Sequence, residues 1–283
     1  MVNPQNDPLE FIAVPATGMV DVHAHLLPGI DDGAKDLQQA LNMARLAVAD
    51  GTRALVVTPH HLNGVYRNPA DSVRGHCTSL RAALRSEGLD LVIFPGSECH
   101  LVPELPTALA EGSAMTVADR GHAVLVELPV HNVPFGATGI LEDLLAMGLQ
   151  PVIAHPERNA EVAGNPDILE EWVSMGCLGQ ITAQSCSGRF GPRVQQAAEH
   201  MVRQGLVQIV ASDAHRDSRR VPELSQGRAP IERWVGSEAA RLMAEDFPRA
   251  LVAGDAVDTR RLDDARRPPR AARIRGWLGR LRA

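Results

Sequence analysis

The chain has 283 residues, 45% of them apolar and only 3% aromatic, with a net charge of −6. That length suits one large α/β domain with an ample core, and no apolar stretch reaches the ~18 residues of a membrane-spanning helix. Residues 258–283 carry nine Arg against three Asp, so the rest of the chain is strongly acidic, which argues against general nucleic-acid binding.

The first 18 residues include Asp7 and Glu10 but no Lys or Arg, so they lack the basic start of a secretory signal. Apolar, β-rich runs then alternate with helical ones. Strands are expected at 19–22, 54–58, 91–95, 123–128, 151–154, 178–182 and 207–211. Helices are expected at 36–50, 69–87, 101–111, 138–147, 166–175, 192–204 and 223–245. Gly51, Gly88, Gly148, Gly176 and Gly205 follow five of these helices, where a residue with positive φ is the usual stop. The alternation predicts a parallel sheet, closed as a distorted seven-stranded (β/α)7 TIM-like barrel. The expected organisation is an N-terminal extension (1–18), a catalytic barrel (19–257) and an Arg-rich tail (258–283). Trp277, Leu278 and Leu281 could give that tail an apolar side for an acidic partner or an anionic membrane surface. Cys77, Cys99, Cys177 and Cys186 show no paired spacing, as expected for reduced thiols of a cytoplasmic protein.

Histidines and carboxylates recur at the ends of the expected strands, where barrels of this kind collect their chemistry. Residues two apart on a strand share a face. His23 and His25 therefore project together, with Asp21 behind them as an orienting group rather than a ligand. Asp31 and Asp32 follow in a turn-rich loop. His60 closes the second strand, and Glu98 follows the third. Glu127 lies in the apolar run 124–128, where an unpaired carboxylate is very unfavourable, so a cation is expected nearby. His155 ends the fifth strand, and Asp213 and His215 end the last. A mixed imidazole and carboxylate set suits manganese, iron or zinc.

The strings DVHAH, GIDDG, TPHH, GSE, VELP, VIAHPER and ASDAH, in this order, resemble the polymerase-and-histidinol-phosphatase (PHP) superfamily. More narrowly, they resemble its bacterial manganese-dependent protein tyrosine phosphatases of capsule and exopolysaccharide operons. The resemblance implies a PHP-type barrel holding three divalent ions, Mn2+ first, with Fe or Zn as alternatives. By it, His23, His25, Glu98 and Asp213 hold one ion. Glu98 bridges to a second, held with Glu127 and His155, and Asp32, His60 and His215 hold the third. Arg158 and Arg220 are the implied catalytic, phosphate-gripping residues, with Arg219 a neighbouring candidate. The implied substrate is a phosphotyrosine protein, a bacterial tyrosine kinase that governs capsule or exopolysaccharide synthesis.

Electrostatics agree with that transfer. Four ligand carboxylates and three divalent ions leave a positive site, and two Arg add to it, so a phosphate dianion would be attracted. The expected reaction is phosphomonoester hydrolysis by in-line attack of a metal-bridging hydroxide on phosphorus. A phenolate leaving group has a pKa of ~10 and needs little protonation, with water or His61 as possible proton sources.

Two rival chemistries fail on the residues. A cysteine phosphatase needs an Arg six positions after its nucleophile, but Ala83, Leu105, Ala183 and Pro192 stand there. A carboxylated Lys bridging two metals on a strand is not available, because the only Lys is Lys35, in a loop or helix start. Two rival functions share the motifs: a phosphatase of histidinol phosphate or a similar small ester, and a non-catalytic kinase-binding scaffold. His76, His122, His131 and His200 are expected to be surface or capping residues, and His100 to line the rim of the site. A phosphotyrosine ring would pack on aliphatic groups, Arg stems or Phe190.

Overall fold

A computed structural model describes residues 12–266. Nine strands follow in chain order: β1 Met19–Ala24, β2 Thr52–Val57, β3 His60–His61, β4 Val92–Pro95, β5 Glu98–His100, β6 Ala123–Glu127, β7 Gln150–Ala154, β8 Leu178–Thr182 and β9 Ile209–Ala211. All ladder pairs are parallel, in the orders β1-β2-β4 and β3-β5-β6-β7-β8-β9. Their side chains are largely buried and apolar, as expected of parallel strands covered on both faces.

The expected single closed ladder is instead two sheets. Thr58 and Pro59 separate β2 from β3, and Gly96 and Ser97 separate β4 from β5. Pro59 has no N–H to extend the ladder. At Gly96 the chain passes so close to Val56 that an added Cβ would sit 2.8 Å from its Cγ1. Cross-contacts hold the breaks together: Thr58 N donates to Ala24 O at 3.0 Å, and Glu98 N donates to Pro59 O at 3.2 Å. The last strand returns beside the first, with Asp213 N donating to His23 O and His25 N to Ala214 O, both at 2.8 Å. The outcome is one face on which the ends of β1, β3, β5, β6, β7 and β9 converge.

Helices cover the sheets. Asp36 caps Leu37–Asp50 by accepting from Gln39 N at 2.8 Å, which satisfies a donor the first helical turn leaves over. The five glycines expected to stop helices all adopt positive φ. Two expected helices have other bounds. The one at 101–111 begins only at Leu105, beyond Pro103, a residue type that disfavours helical backbone just before it. The one at 223–245 is interrupted at Gly236, between Ser225–Val235 and Ser237–Arg241, and the helical run then continues through Leu242–Asp246 into Phe247–Ala253. With few aromatics the core is mostly aliphatic, and Trp172, Phe94 and Phe247 are its largest fully buried side chains. Helix Arg260–Arg266 lies against the body: Leu262 is 2% exposed, and Arg266 Nη1 donates to Arg203 O at 2.8 Å, near the C-terminus of Pro192–Gln204. A cation there also complements the helix dipole. The residues around Trp277, expected to give the tail an apolar side, lie outside the described residues. Among the described residues no helix is long and apolar enough to cross a membrane.

Candidate metal centre

The strand ends bring all nine expected ligands to one place. His23 and His25 leave β1, and His60 opens β3 after Pro59 rather than closing β2. Glu98 opens β5, directly across from His60 in the register. Glu127 is the last residue of β6 rather than an interior one, and is only partly buried. His155 and Asp213 stand just beyond β7 and β9 with φ of 34° and 49°. Such left-handed backbone is unfavourable for residues with a Cβ and persists where the surroundings enforce it.

Four overlapping groups emerge, each with ligand atoms within 4.8 Å of one another: His25, Asp32, His60 and His215; His23, His155 and Asp213; His23, His25 and Glu98; and His60, Glu98 and Glu127. Glu98 is central. Its oxygens lie 2.8 Å from His155 Nε2, 3.0 Å from His60 Nδ1, and 3.3 Å from both His23 Nε2 and His25 Nε2. This grouping differs in detail from the expected division, since His60 approaches Glu98 and Glu127 while His155 approaches His23 and Asp213.

The histidines are held so that one nitrogen faces inward. Gln180 Oε1 accepts from His23 Nδ1 at 2.8 Å, Asp31 Oδ2 from His25 Nδ1 at 2.7 Å, and Asp213 O from His215 Nδ1 at 3.0 Å. Each of these bonds leaves Nε2 for the centre, the usual arrangement behind a metal-binding imidazole. Asp21 stands behind His23 and accepts from His23 N at 3.3 Å, from Ser212 Oγ at 2.5 Å and from Ser212 N at 3.0 Å. Burial pushes its carboxyl up to about 6.

Charge balance indicates what the cluster is suited to hold. Burial opposes ionisation of Glu98, but the charge on His23 and the hydrogen bond from His155 hold it well below the usual carboxylate range. Burial also opposes the charge on His25, yet Asp31 and the other carboxylates hold its pKa well above 6.5. His215, pressed by burial and by the charge on His25, falls to about 4. Burying so many ionised groups costs several kcal/mol each unless partners compensate. Divalent cations would supply that compensation. His60 Nδ1, Glu98 Oε2 and Asp213 Oδ1 are buried without a hydrogen bond, although the first two lie 3.0 Å apart. Lone pairs converging without donors fit divalent cations, and the donor set fits manganese, iron or zinc.

A cavity of about 350 Å³ opens over the cluster. Arg158 and Arg220 enter it, and both reach Asp213 Oδ2. The Arg158 guanidinium lies 5.2 Å from the centre of the Phe190 ring. Glu157 anchors the Arg158 segment by accepting from Ser185 Oγ at 2.6 Å and Thr182 N at 3.0 Å. Phe190, Leu128, Pro129 and Val130 form an apolar wall. Arg219 faces neighbouring hollows instead. His61 is buried and absent from the cavity walls, because it alternates with His60 on β3, so its expected part as proton donor is not supported. His100 lies 3.6 Å from Glu127 but is not among the residues lining the cavity, so its expected place on the rim is not supported. Asp31 and Gln180 were missed as orienting groups. The adjacent pair Asp31 and Asp32 was a signal for the first, whereas Gln180 gave none.

Fold and site define an α/β protein with a buried histidine and carboxylate centre of the kind that holds several divalent ions. The chain belongs to the capsular polysaccharide synthesis CpsB/CapC family, whose model matches residues 19–253. It is 37% identical over 228 residues to the tyrosine-protein phosphatase YwqE of Bacillus subtilis, covering 81% of this chain and 89% of that one. It is 31% identical over 208 residues to a putative tyrosine-protein phosphatase CapC of Staphylococcus aureus, covering 74% and 81%. It also resembles a crystal structure from a study of YwqE and of CpsB from Streptococcus pneumoniae, described as unique metal-dependent tyrosine phosphatases. The TM-score is 0.81 at 36% identity, over 84% of this chain and 96% of that one.

Proposed function

We propose that this chain is a metal-dependent protein-tyrosine phosphatase. Its substrate on this reading is the phosphorylated tyrosine kinase of a capsule or exopolysaccharide system, reached in the cytoplasm. One observation carries the reading: the converged histidine and carboxylate centre shares a cavity with two Arg and an apolar wall. The family and the names of its relatives support the same activity. We further read the two sheets as arcs of one distorted seven-stranded barrel, in which β2 with β3 and β4 with β5 each count as a single broken strand.

His23, His25, Glu98 and Asp213 would hold one ion, Glu98, Glu127 and His155 a second, and Asp32, His60 and His215 a third, with Mn2+ the expected metal. Such ions supply Lewis acidity, acidifying water and offsetting phosphate charge. Arg158 and Arg220 donate hydrogen bonds to phosphate oxygens, in the paired geometry that guanidinium allows, and stabilise charge as the ester breaks. Asp213 fixes both guanidinium groups through Oδ2 while its Oδ1 stays free of hydrogen bonds. Phe190 and the 128–130 segment pack the phenol ring and exclude water. The leaving phenolate, with a pKa of ~10, departs with little help from an acid.

Stripping the metal, restoring Mn2+ and assaying a phosphotyrosine peptide beside histidinol phosphate tests this. Metal-dependent turnover of the peptide with little on the small ester is expected. The reverse preference would make it a small-ester phosphatase, and no turnover of either with metal bound would leave a kinase-binding scaffold.

A further inference from the structure

Phe190 and Arg220 each stand in two walls. Beside the cavity over the metal centre lies a larger hollow of about 770 Å³, which shares these two residues and adds Arg189, Arg219, Glu223 and Gln226. A smaller pocket of about 110 Å³ shares Asp32, His215 and Arg220 with the metal-centre cavity and also contains Arg219. Arg219 thus borders two spaces that open from the reaction site.

Among the described residues neither Arg189 nor Arg219 has a carboxylate partner, and both border the reaction site. Exposed Arg of this chain are commonly paired with carboxylates, as Arg45 is with Glu87, Arg203 with Glu199, and Arg241 with Glu238. Among the described residues the Arg219 side chain has neither ion pair nor hydrogen bond. The Arg189 guanidinium has only a hydrogen bond of 3.2 Å to Gln226 Oε1. Three Arg face one Glu in the hollow, and the Glu223 carboxylate is engaged by Gln226 Nε2. The loop bearing Arg219 is also held in place, because Asp217 accepts from Gln39 Nε2 at 3.1 Å and from Asn42 Nδ2 at 3.0 Å. Because Arg189 and Arg219 have no carboxylate partner, an anion can bind between them without the cost of breaking an existing ion pair.

We propose that this hollow is a second anion subsite, which takes an acidic side chain of the substrate polypeptide next to the phosphotyrosine being cleaved. The proposal rests on the phosphatase reading above. A carboxylate and a second phosphotyrosine share the required chemistry. Phe190 then separates the two compartments, with the scissile ring on one side and the neighbouring anion on the other.

The test uses the full-length, Mn2+-loaded protein. Its substrates are p-nitrophenyl phosphate and one phosphotyrosine peptide with neutral, Glu, second-phosphotyrosine or Lys flanks. The wild type should favour the anionic flanks in kcat/KM. Arg189→Gln with Arg219→Gln should remove roughly tenfold of that preference, mostly in KM, and leave p-nitrophenyl phosphate and the neutral peptide unchanged. The Glu and phosphotyrosine arms tell the two anion sources apart. Arg189→Glu with Arg219→Glu should turn the preference toward the Lys-flanked peptide, a gain that a merely structural role cannot give. Indifference of the wild type to flanking charge would overturn the subsite while leaving the phosphatase reading intact. Equal loss on every substrate would also overturn it, by placing Arg219 on the scissile phosphate. A wild type that hydrolyses none of the substrates would sink the phosphatase reading, and the subsite with it.

Discussion

Glu98 is the residue on which the centre turns, because both its oxygens are surrounded by imidazole nitrogens and it is buried. Replacing it with Gln keeps the volume and removes the charge. Glu98→Gln should lower turnover by at least ~100-fold and reduce bound metal per chain, as read by elemental analysis beside a kinetic assay. Near-normal activity with a full metal complement would remove Glu98 from the centre. Asp31 acts one step behind, through His25. Asp31→Asn should weaken metal binding by ~10–100-fold while the far-ultraviolet circular dichroism stays unchanged. An unaltered metal titration would mean that His25 is oriented by something else. Eight of the nine expected ligands were noticeable at or near the ends of apolar runs, where the period of a strand tells which neighbours share a face, whereas the choice of Asp32 in the following loop and the division among three ions came from the family resemblance. Asp31 and Gln180 were less legible. An orienting group is defined by which imidazole it reaches, and Gln180 lies 157 positions from His23.

Among the elements, the breaks in β2/β3 and β4/β5 do the positioning. The pairing keeps its register across them, Val57 with Pro95 and then His60 with Glu98, so the chain moves into the second sheet with His60 and Glu98 still opposite each other. Gly96 permits the close crossing at Val56. Gly96→Ala should destabilise the fold by about 1–3 kcal/mol, as overpacking of a tight contact does, measured as a lower urea midpoint at unchanged slope. A midpoint equal to wild type would show that the break has room to relax. Strand and helix identities were readable from periodicity, and the helix stops from glycine. The split into two sheets was not, because Pro59 and Gly96 look like ordinary strand ends until the neighbouring strand is known.

At the scale of the molecule, the metal centre links the first strand to the last. Its side chains come from β1, β3, β5 and β6 and from the segments after β1, β7 and β9. Ions binding only the folded state should therefore stabilise the whole domain, by ~2.7 kcal/mol at a metal concentration 100 times the Kd. Calorimetric scans with Mn2+ and with a chelator should show a single transition that rises with metal. A Tm indifferent to metal would separate the centre from the fold's stability.

The sequence alone determined the α/β alternation, the C-terminal placement of the chemistry and the types of side chain available for it. These follow from local regularities: strand and helix periods, glycine stops, and the tendency of this architecture to carry its sites at strand ends. Tertiary structure decided the rest. It put Arg220 rather than Arg219 into the metal-site cavity, turned His61 away from it, and made Phe190 a wall between two compartments. Which of two adjacent residues faces a site depends on the twist of its loop and on partners far along the chain. Arg220, at φ 54°, takes its direction from such long-range contacts, among them the one with Asp213.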